Sequence, residues 1–380
     1  MKKIGIIGAG QAGQRIAVGL STFDDVKIVG IVDPNNGRSI LSDSNSPWAI
    51  PDVKFFDSDD EMLSESYDAI VLAADPINVA YEPLERLGKI MLLTQKHVTC
   101  PILWERPLGF LPEHPKKAFE QVPSRYQSII SFARYGLPTK AAKSLLSSYS
   151  LGDITDFEFF ITLNCGLREK TWRQAGQTGV TQPIHFLDNA FEQIETMGLG
   201  RIASISAKRT DVTREGVNFD EKWELNIVLD NGISGRIIGL QYIGNSEFLY
   251  GLRSLRITGT SGALYSSFGR TCYIDQIGIE HPISLASYGI DPRIVLASNK
   301  LEKFFHSIDH YPEKAHCKGE AQALAECLRT WVDSLHSREN MSIFNLTTHI
   351  DASRYLGLAE MALQSALTGD SVSTVQLYER

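Results

Sequence analysis

Two short stretches of the sequence carry side chains that could hold or move a proton. The stretch ERPLG contains Glu105 and Arg106, and the stretch IHFLD contains His185 and Asp188. A histidine changes charge near neutral pH and can accept or donate a proton, whereas an arginine stays protonated and acts only as a fixed cation. The residue types therefore predict acid-base chemistry at His185, while Arg106 polarises a carbonyl, stabilises an alkoxide or binds an anionic group.

His185 falls in a predicted helix that has Thr181 as its cap, Pro183 in its first turn and a stop at Gly198. At about 100° per residue the apolar side chains of this helix form one stripe, nearly opposite His185: Ile184, Leu187, Phe191, Ile194 and Met197. His185 is then either a functional residue or an ordinary surface histidine. The helix dipole favours its neutral form. Asp188, one turn on, either orients His185 or is a solvated carboxylate.

The chain opens on a short apolar strand, the turn GAGQAG and a helix. Gly8 permits a tight turn, Gly10 allows the backbone to approach a pyrophosphate, and Gly13 lets the helix pack closely on the strand. The helix start, at Gln11 and Ala12, faces the phosphate charge. This arrangement predicts a dinucleotide-binding site.

An acidic residue at the end of the next strand, VKIVGIV, extends this prediction. Asp33 lies 20 residues beyond Gly13, where a carboxylate accepts hydrogen bonds from the adenine ribose. The same carboxylate repels a 2'-phosphate, so we expect NAD as the cofactor. Arg38, five residues later, leaves NADP open.

Strand and helix patterns alternate up to about residue 125, which predicts an α/β fold with a parallel sheet and ligands at its C-terminal strand ends. Pro76 and Asn78 follow one such strand, in a turn that is either structural or a cofactor contact. After a helix expected to close at Gly152, strands dominate, and Asn231-Gly232 predicts a type I' hairpin. The predicted architecture is an N-terminal Rossmann dinucleotide-binding domain, 1–128, followed by an α+β domain with a mostly antiparallel open sheet, 129–380.

Bulk composition limits the partners. The chain has 380 residues, 43% of them hydrophobic and 22% charged, and a net charge of -8. The acidic balance argues against nucleic acid or an anionic membrane as partner, and no apolar run reaches the roughly 20 residues of a spanning helix. Five scattered cysteines and no Cys-x-x-Cys pair predict neither disulfides nor a metal site. A cytoplasmic protein is expected.

Together these stretches resemble the glucose-fructose oxidoreductase / inositol dehydrogenase / rhizopine-catabolism family, Gfo/Idh/MocA, over nearly the whole chain. The matching segments are the glycines with Asp33, the DPIN turn, the ERPLG loop, the IHFLD segment, and the sheet and tail stretches LDNGISGRI, LRITGTSGAL and QSALTG. The resemblance implies a two-domain oxidoreductase acting on sugars, cyclitols or their derivatives. It also implies cofactor contacts at Pro76, Asn78 and Glu105. The open face of the C-terminal sheet, if broad and apolar, would be a natural surface for forming a homodimer or homotetramer.

Three residues depart from the family pattern. Arg106 replaces the lysine of the family's Glu-Lys-Pro-Leu loop, Thr181 replaces an aspartate, and Pro183 replaces a glycine. Arginine cannot take up the lysine's role as a base, so the proton falls to His185, with Asp188 orienting it and Thr181 supplying at most a hydrogen bond. A fixed cation favours carbonyl or imine reduction slightly. The alternative is an NAD-binding regulatory or sensor protein that has lost catalysis.

Overall fold

The structure is a computed structural model of the chain. It describes residues 1–33, 38–74, 100–106, 127–164, 181–214, 217–242, 253–267, 270–289, 291–308, 314–337, 344 and 346–378. At the start of one helix, residues 181–186, the description covers the backbone and not the side chains.

The first part of the chain builds a six-stranded parallel sheet. In chain order its strands are β1 (Lys2–Ile7), β2 (Val26–Val32), β3 (Lys54–Phe56), β4 (Ala69–Leu72), β5 (Ile102–Trp104) and β6 (Gln127–Ile129). Their spatial order is β3-β2-β1-β4-β5-β6, and all five pairings are parallel. The order reverses direction at β1, which opens a crevice at the C-terminal strand ends.

Three helices accompany this sheet in the first 62 residues: α1 (Gln11–Leu20), α2 (Arg38–Ser42) and α3 (Asp59–Met62). Within the acidic stretch DSDDEMLSE, residues Asp59–Met62 form α3. Its start is fixed by Ser58, whose hydroxyl accepts a hydrogen bond from the backbone N–H of Glu61 at 3.2 Å.

The second part of the chain builds a nine-stranded sheet. Its strands are β7 (Ile154–Asn164), β8 (Ile202–Arg214), β9 (Val217–Leu229), β10 (Ser234–Tyr242), β11 (Arg253–Gly259), β12 (Gly262–Ser267), β13 (Arg270–Asp275), β14 (Glu280–Ile283) and β15 (Val372–Ser373). The spatial order is β14-β13-β12-β11-β7-β10-β9-β8-β15. Among the described strands of this second sheet only β7 and β10 pair in parallel, so the predicted fold class, a Rossmann sheet followed by a mostly antiparallel sheet, is confirmed.

The hairpin between β9 and β10 is confirmed, but its predicted turn type is wrong. A type I' turn needs positive φ at two residues, and here only Gly232 has it, at 85°. The N–H of Gly232 donates to the carbonyl of Leu229 at 3.0 Å, and the N–H of Leu229 donates to the carbonyl of Ile233 at 2.8 Å. This is a three-residue loop in which a left-handed glycine closes the turn.

Six further helices complete the described fold: α4 (Phe132–Tyr135), α5 (Leu137–Ser147), α6 (Thr181–Met197), α7 (Pro292–Ile308), α8 (Lys314–His336) and α9 (His349–Thr368). The prediction of one continuous helix that closes at Gly152 is wrong. It is divided at Gly136, which has extended backbone, and Pro138 then occupies the first turn of α5. Because Pro138 lacks the N–H that a continuous helix would pair with the carbonyl of Arg134, the chain starts a new helix there.

Late helices pack on the first sheet. The hydrophobic core around β1 and α1 also contains buried side chains from α7 and α8, including Leu301, Phe304 and Trp331. At Gly19 of α1 an added Cβ would press on Leu328. The domain division at residue 128 stays a prediction, and helices well beyond that residue contribute to the first core.

No helix in the described residues is both long and apolar enough to cross a membrane.

Candidate functional site

The glycine-rich turn has the backbone that its sequence predicts. Gly8 has a φ of 92°, and a Cβ there would lie 2.5 Å from the backbone nitrogen of Ala74. A Cβ on Gly13 would overlap the carbonyl oxygen of Gly8, whereas one on Gly10 would meet nothing within 4 Å. Two of the glycines are therefore required by close packing inside the protein. Gly10 instead keeps an open space at the start of α1.

The start of α1 is suited to an anion. Gly10 is the residue before Gln11 and Ala12, and it offers no side chain that could cap the helix. A helix N-terminus without a side-chain cap presents N–H groups and the positive end of the dipole to a phosphate. Open space at Gly10 beside this N-terminus fits the pyrophosphate of a dinucleotide.

Asp33 lies at the C-terminal end of β2, next to the glycine-rich turn. Its side chain is 6% exposed, and Oδ2 accepts a hydrogen bond from the backbone N–H of Ala9. The carboxylate is thus fixed at the edge of the crevice beside β1, as a ribose-binding acid must be. The side chain of Arg38 lies outside the described side chains.

Arg106 lies two residues after the end of β5, at the same C-terminal edge of the sheet. The backbone N–H of Glu105 donates to the carbonyl of Leu72 at 3.0 Å, which ties the end of β5 to the end of β4. The Nε of Arg106 donates to the carbonyl of Ile130, just beyond β6, at 2.9 Å. Since β5 lies two strands from β1, Arg106 is displaced from the glycine-rich turn by about 10 Å across the sheet.

The guanidinium of Arg106 contacts two carboxylates of α6. Nη1 donates to Oδ2 of Asp188 at 3.1 Å, and Nη2 donates to Oε2 of Glu192. Glu192 also accepts a hydrogen bond from Nε of Arg134 at 2.7 Å. We call Arg106, Arg134, Asp188 and Glu192 the α6 charge cluster. Its two cations and two anions are all largely buried, with side-chain exposures of 12% or less.

Burial and neighbouring charge act differently on the two carboxylates. Burial raises the pKa of Asp188, Arg106 opposes the rise, Glu192 adds to it, and the resulting pKa is about 6. Burial also favours the neutral form of Glu192, but Arg106 and Arg134 outweigh it and hold the pKa of Glu192 below its usual range. Near neutral pH, Glu192 is therefore ionised and Asp188 lies close to its titration range.

Asp188 is a buried residue, with 6% exposure, which excludes the solvated-carboxylate interpretation. Its second oxygen, Oδ1, accepts hydrogen bonds from the backbone N–H of Asn189 at 2.6 Å and from its side-chain amide at 3.0 Å. The apolar stripe predicted for this helix is confirmed for the members whose side chains are described: Leu187, Phe191, Ile194 and Met197.

His185 and Thr181 lie in the first two turns of α6. The helix begins at Thr181 itself, so Thr181 is the first helical residue. The expectation that Thr181 is the cap, outside the helix, is therefore wrong. Proline at the third helical position has no N–H to leave unpaired, so it is compatible with this earlier start. The side chains of Thr181 and His185 lie outside the described side chains.

Two predicted cofactor contacts, Pro76 and Asn78, lie outside the described residues, as do the Pro-Leu-Gly residues of the ERPLG loop. Glu105 is described, with its backbone paired to β4 and its side chain half-buried. The structure thus brings Arg106 and Asp188 into contact. It places the glycines and Asp33 at the same sheet edge.

Sequence reasoning missed Glu192 and Arg134. A signal was present, because Asp188 and Glu192 stand four residues apart on one helix. Like charges at this spacing destabilise a helix unless cations lie between or beside them. The cations come from other elements, Arg106 after β5 and Arg134 in α4, and local sequence does not identify them.

The fold defines a class, the proteins in which a parallel Rossmann sheet is followed by a mostly antiparallel sheet. Residues 2–127 match the family model GFO_IDH_MocA, described as an oxidoreductase family with an NAD-binding Rossmann fold. The predicted resemblance to this family is confirmed over residues 2–127, and with it NAD as the cofactor.

Curated relatives match part of the chain. Glucose-6-phosphate 3-dehydrogenase from Bacillus subtilis (strain 168) is 29% identical over 209 residues, which is 52% of this chain and 55% of that protein. An uncharacterised oxidoreductase from Schizosaccharomyces pombe is 25% identical over 173 residues, 45% of this chain and 44% of that protein. The chain therefore spans about half the length of the curated relatives that it matches.

Solved structures match the whole fold. A myo-inositol dehydrogenase from Corynebacterium glutamicum has a TM-score of 0.69 at 18% identity, over 98% of both chains. An oxidoreductase from Agrobacterium radiobacter, in complex with NAD+, L-tartaric acid and magnesium, has a TM-score of 0.70 at 15% identity, over 99% of both chains. At these identities the likeness supports the fold of both domains.

Proposed function

We propose that this chain is an NAD-dependent oxidoreductase that transfers hydride between nicotinamide and a sugar, a cyclitol or a related alcohol or carbonyl compound. The observation that carries the proposal is the contact between Arg106 and Asp188 at 3.1 Å. It joins the C-terminal end of β5 to the helix that contains His185. A substrate bound there would lie at the sheet edge where dinucleotide folds bind their cofactor.

Gly8, Gly10, Gln11, Ala12, Gly13 and Asp33 would hold the dinucleotide. Bound NAD would supply a nicotinamide ring that accepts or returns hydride. The chain must then supply the proton transfer that accompanies it, and we assign this role to His185, with Asp188 one helical turn away to orient the imidazole. Thr181 would contribute a hydrogen bond at the start of the same helix.

The contacts of Arg106 favour a role that it exerts through Asp188. Its guanidinium is held by Asp188, Glu192 and the carbonyl of Ile130, so its charge is compensated before a substrate arrives. A compensated cation binds an added carboxylate or phosphate weakly. We therefore propose an uncharged sugar or cyclitol as the substrate. Because the charge of Arg106 is already compensated, this cation no longer favours carbonyl or imine reduction over alcohol oxidation.

Absorbance at 340 nm tests the activity. The full chain is supplied with NAD or NADP and a panel of neutral sugars, cyclitols, their ketones, sugar acids and sugar phosphates. We expect turnover with NAD and uncharged substrates. Turnover restricted to sugar acids or phosphates would contradict the substrate class, and cofactor binding without turnover on the whole panel would contradict the enzyme.

The His185→Ala variant tests the proton carrier. We expect its turnover to fall at least about a hundredfold, the effect of losing a general acid-base group. His306→Ala is the matched control, because His306 is an exposed histidine in α7. Equal turnover of the His185→Ala variant and the wild type would contradict the assignment.

A second candidate function is an NAD-responsive binding or regulatory protein. The observation in its favour is the same compensated guanidinium, since Arg106 replaces the family's lysine and two carboxylates hold it. Calorimetry distinguishes the two candidates. Cofactor binding that changes affinity for another molecule, with no hydride transfer, would favour this second function.

We also propose that the second sheet is a self-association surface between copies of this chain. Across its outer face, Arg236, Glu158 and Arg256 stand side by side in register on three neighbouring strands. A second copy of the same face, turned by 180° and offset by one strand, would place Arg256 against Glu158 of that copy and Glu158 against its Arg256. Light scattering is expected to report a dimer or tetramer, and Arg256→Glu a smaller species; a wild-type monomer at micromolar concentration would contradict this.

A further inference from the structure

Glu192 is fully buried and accepts four hydrogen bonds. Oε1 accepts from Nε of Arg134 at 2.7 Å and from Oγ1 of Thr347 at 2.5 Å, while Oε2 accepts from Oγ of Ser131 at 2.6 Å and from Arg106. Four donors match the usual accepting capacity of a carboxylate. Glu192 therefore has no capacity left for a substrate or for water, and any influence on the reaction passes through its partners.

The donors to Glu192 come from three separate parts of the chain outside α6. Arg106 follows β5, Ser131 caps α4 and Arg134 lies within it, and Thr347 directly precedes the cap of α9. Glu192 thus ties α6, the helix of His185, to the C-terminal edge of the parallel sheet and to α9. Such a tie fixes the position of α6 relative to the crevice where a dinucleotide fold binds its ligand.

Glu192 also affects Asp188 in two ways. It pairs with Nη2 of Arg106, and this guanidinium donates to Asp188 through Nη1. Its negative charge lies in the same buried cluster, where it disfavours ionisation of Asp188. Because Arg106 also pairs with Glu192, it stabilises the ionised form of Asp188 less than it would as a partner of Asp188 alone.

We propose that Glu192 is a positioning residue, which holds Arg106 against Asp188 and sets the charge beside His185. The proposal deepens the proposed function, because it rests on His185 as the proton carrier for its effect on turnover. The effect of Glu192 on the titration of Asp188 rests only on the contacts among Glu192, Arg106 and Asp188, and does not depend on His185.

Arg106 and Glu192 are the charged groups that face Asp188 in the described part of the chain, the first from the end of β5 and the second from α6 itself. Beyond Glu192 lie Arg134 from α4 and the buried Tyr355 of α9. Removing the charge of Glu192 takes away a like charge and leaves Arg106 to pair with Asp188 alone. Both changes favour the ionised form of Asp188.

The test is Glu192→Gln in the full chain, read by the titration of Asp188. Carbon-13 at the aspartate side-chain carboxyls gives this titration by NMR, with the Asp188 signal assigned from an Asp188→Asn sample. We expect the midpoint in Glu192→Gln to move to lower pH by about one unit, the size typical of a lost neighbouring like charge. Once a substrate is known, the acid limb of the kcat/KM pH profile should move in the same direction.

Glu195→Gln is the matched control, because it removes the same charge from the same helix. Glu195 pairs with Arg354 at 2.7 Å and accepts from Tyr378 at 2.6 Å, so it does not hold Arg106. We expect the Asp188 midpoint to stay at its wild-type value in this control. An unchanged midpoint in Glu192→Gln, or an equal shift in both variants, overturns the proposal.

Glu192→Asp serves if Glu192→Gln does not fold. It keeps the charge but withdraws it from Arg106, and we expect a smaller shift in the same direction; no shift overturns the proposal. The NMR result needs no substrate, so it is independent of the proposed function. Absence of turnover in the wild type counts against the enzyme, and an unmoved Asp188 midpoint counts against Glu192.

Discussion

The glycine-rich turn and the α6 charge cluster lie at the same edge of the parallel sheet, yet they are built in opposite ways. In the turn, the structure depends on the absence of side chains: Gly8 and Gly13 are closed in by backbone, and Gly10 faces open space. In the cluster it rests on buried charges that come from distant parts of the chain, Arg106 and Glu192 being 86 residues apart. The first region is local and the second is long-range.

This difference implies two kinds of sensitivity. A side chain added to the turn acts by steric overlap or by blocking an approach. A charge removed from the cluster leaves its partner buried without compensation, which costs more than the pair contributed. The predictions that follow use this contrast, in order of expected effect.

The largest effect is expected for Glu192→Ala, which leaves Arg106 and Arg134 buried without their shared carboxylate. The free energy of unfolding should fall by about 3–5 kcal/mol. Urea denaturation measures it. Glu65→Ala is the control, since Glu65 is exposed and pairs with the exposed Lys54 at 3.4 Å; a loss as small as in this control would show that the cluster is not a compensated buried unit.

The pH dependence of stability should differ between the wild type and Asp188→Asn. The folded pKa of Asp188 is about 6, above the unfolded value of about 3.9. The folded state therefore binds the proton more tightly, and this group's contribution to stability falls as pH rises from about 4 to about 6. Relative to Asp188→Asn, the wild type should lose about 2–3 kcal/mol over that range.

Thermal and urea unfolding at several pH values check this prediction. Above about pH 7 the difference between the two proteins should no longer change with pH. Parallel stability curves from pH 4 to 7 would mean that Asp188 has an ordinary titration in the folded protein.

Gly13→Ala and Gly10→Ala separate packing from cofactor approach. A Cβ on Gly13 overlaps the carbonyl oxygen of Gly8, so we expect a loss of about 1–3 kcal/mol in unfolding free energy. A Cβ on Gly10 meets nothing within 4 Å, so stability should be kept while NAD affinity falls about tenfold by calorimetry. Wild-type affinity in Gly10→Ala would place the cofactor elsewhere.

Asp33→Asn should have the smallest of these effects. Losing the carboxylate removes its repulsion of a 2'-phosphate, and we expect the ratio of NAD to NADP affinity to fall about tenfold, or about 1.4 kcal/mol. Calorimetry with both cofactors measures the ratio. An unchanged ratio would indicate that the 2' position is not close to Asp33.

The same contrast explains how much the sequence could predict. Apolar periodicity, glycines and the acid after β2 are local signals, so they predict the parallel sheet, the turn and the mostly antiparallel second sheet correctly. Local errors also have local causes. Gly136 and Pro138 divide a predicted helix, and Asn231 keeps an ordinary φ where a type I' turn would need a positive one.

The charge cluster lies beyond local signals. Arg106 is recognisable in the sequence because it stands where the family has a lysine, and Asp188 because it follows His185 by one turn. Their contact, and the burial of Glu192 beside them, depend on how α6 packs against the end of β5 and the start of α4. Periodicity places residues on a helix face, but it does not say which distant side chain reaches that face.

The measurement that tests the central claim most directly is a crystal structure of the chain with NAD and a neutral sugar bound. The account predicts that Arg106 still donates to Asp188 and Glu192, and that the imidazole of His185 lies within about 3.2 Å of the reacting hydroxyl or of one bridging water. A structure in which Arg106 leaves both carboxylates to bind the substrate directly, with His185 far from the nicotinamide, would contradict it.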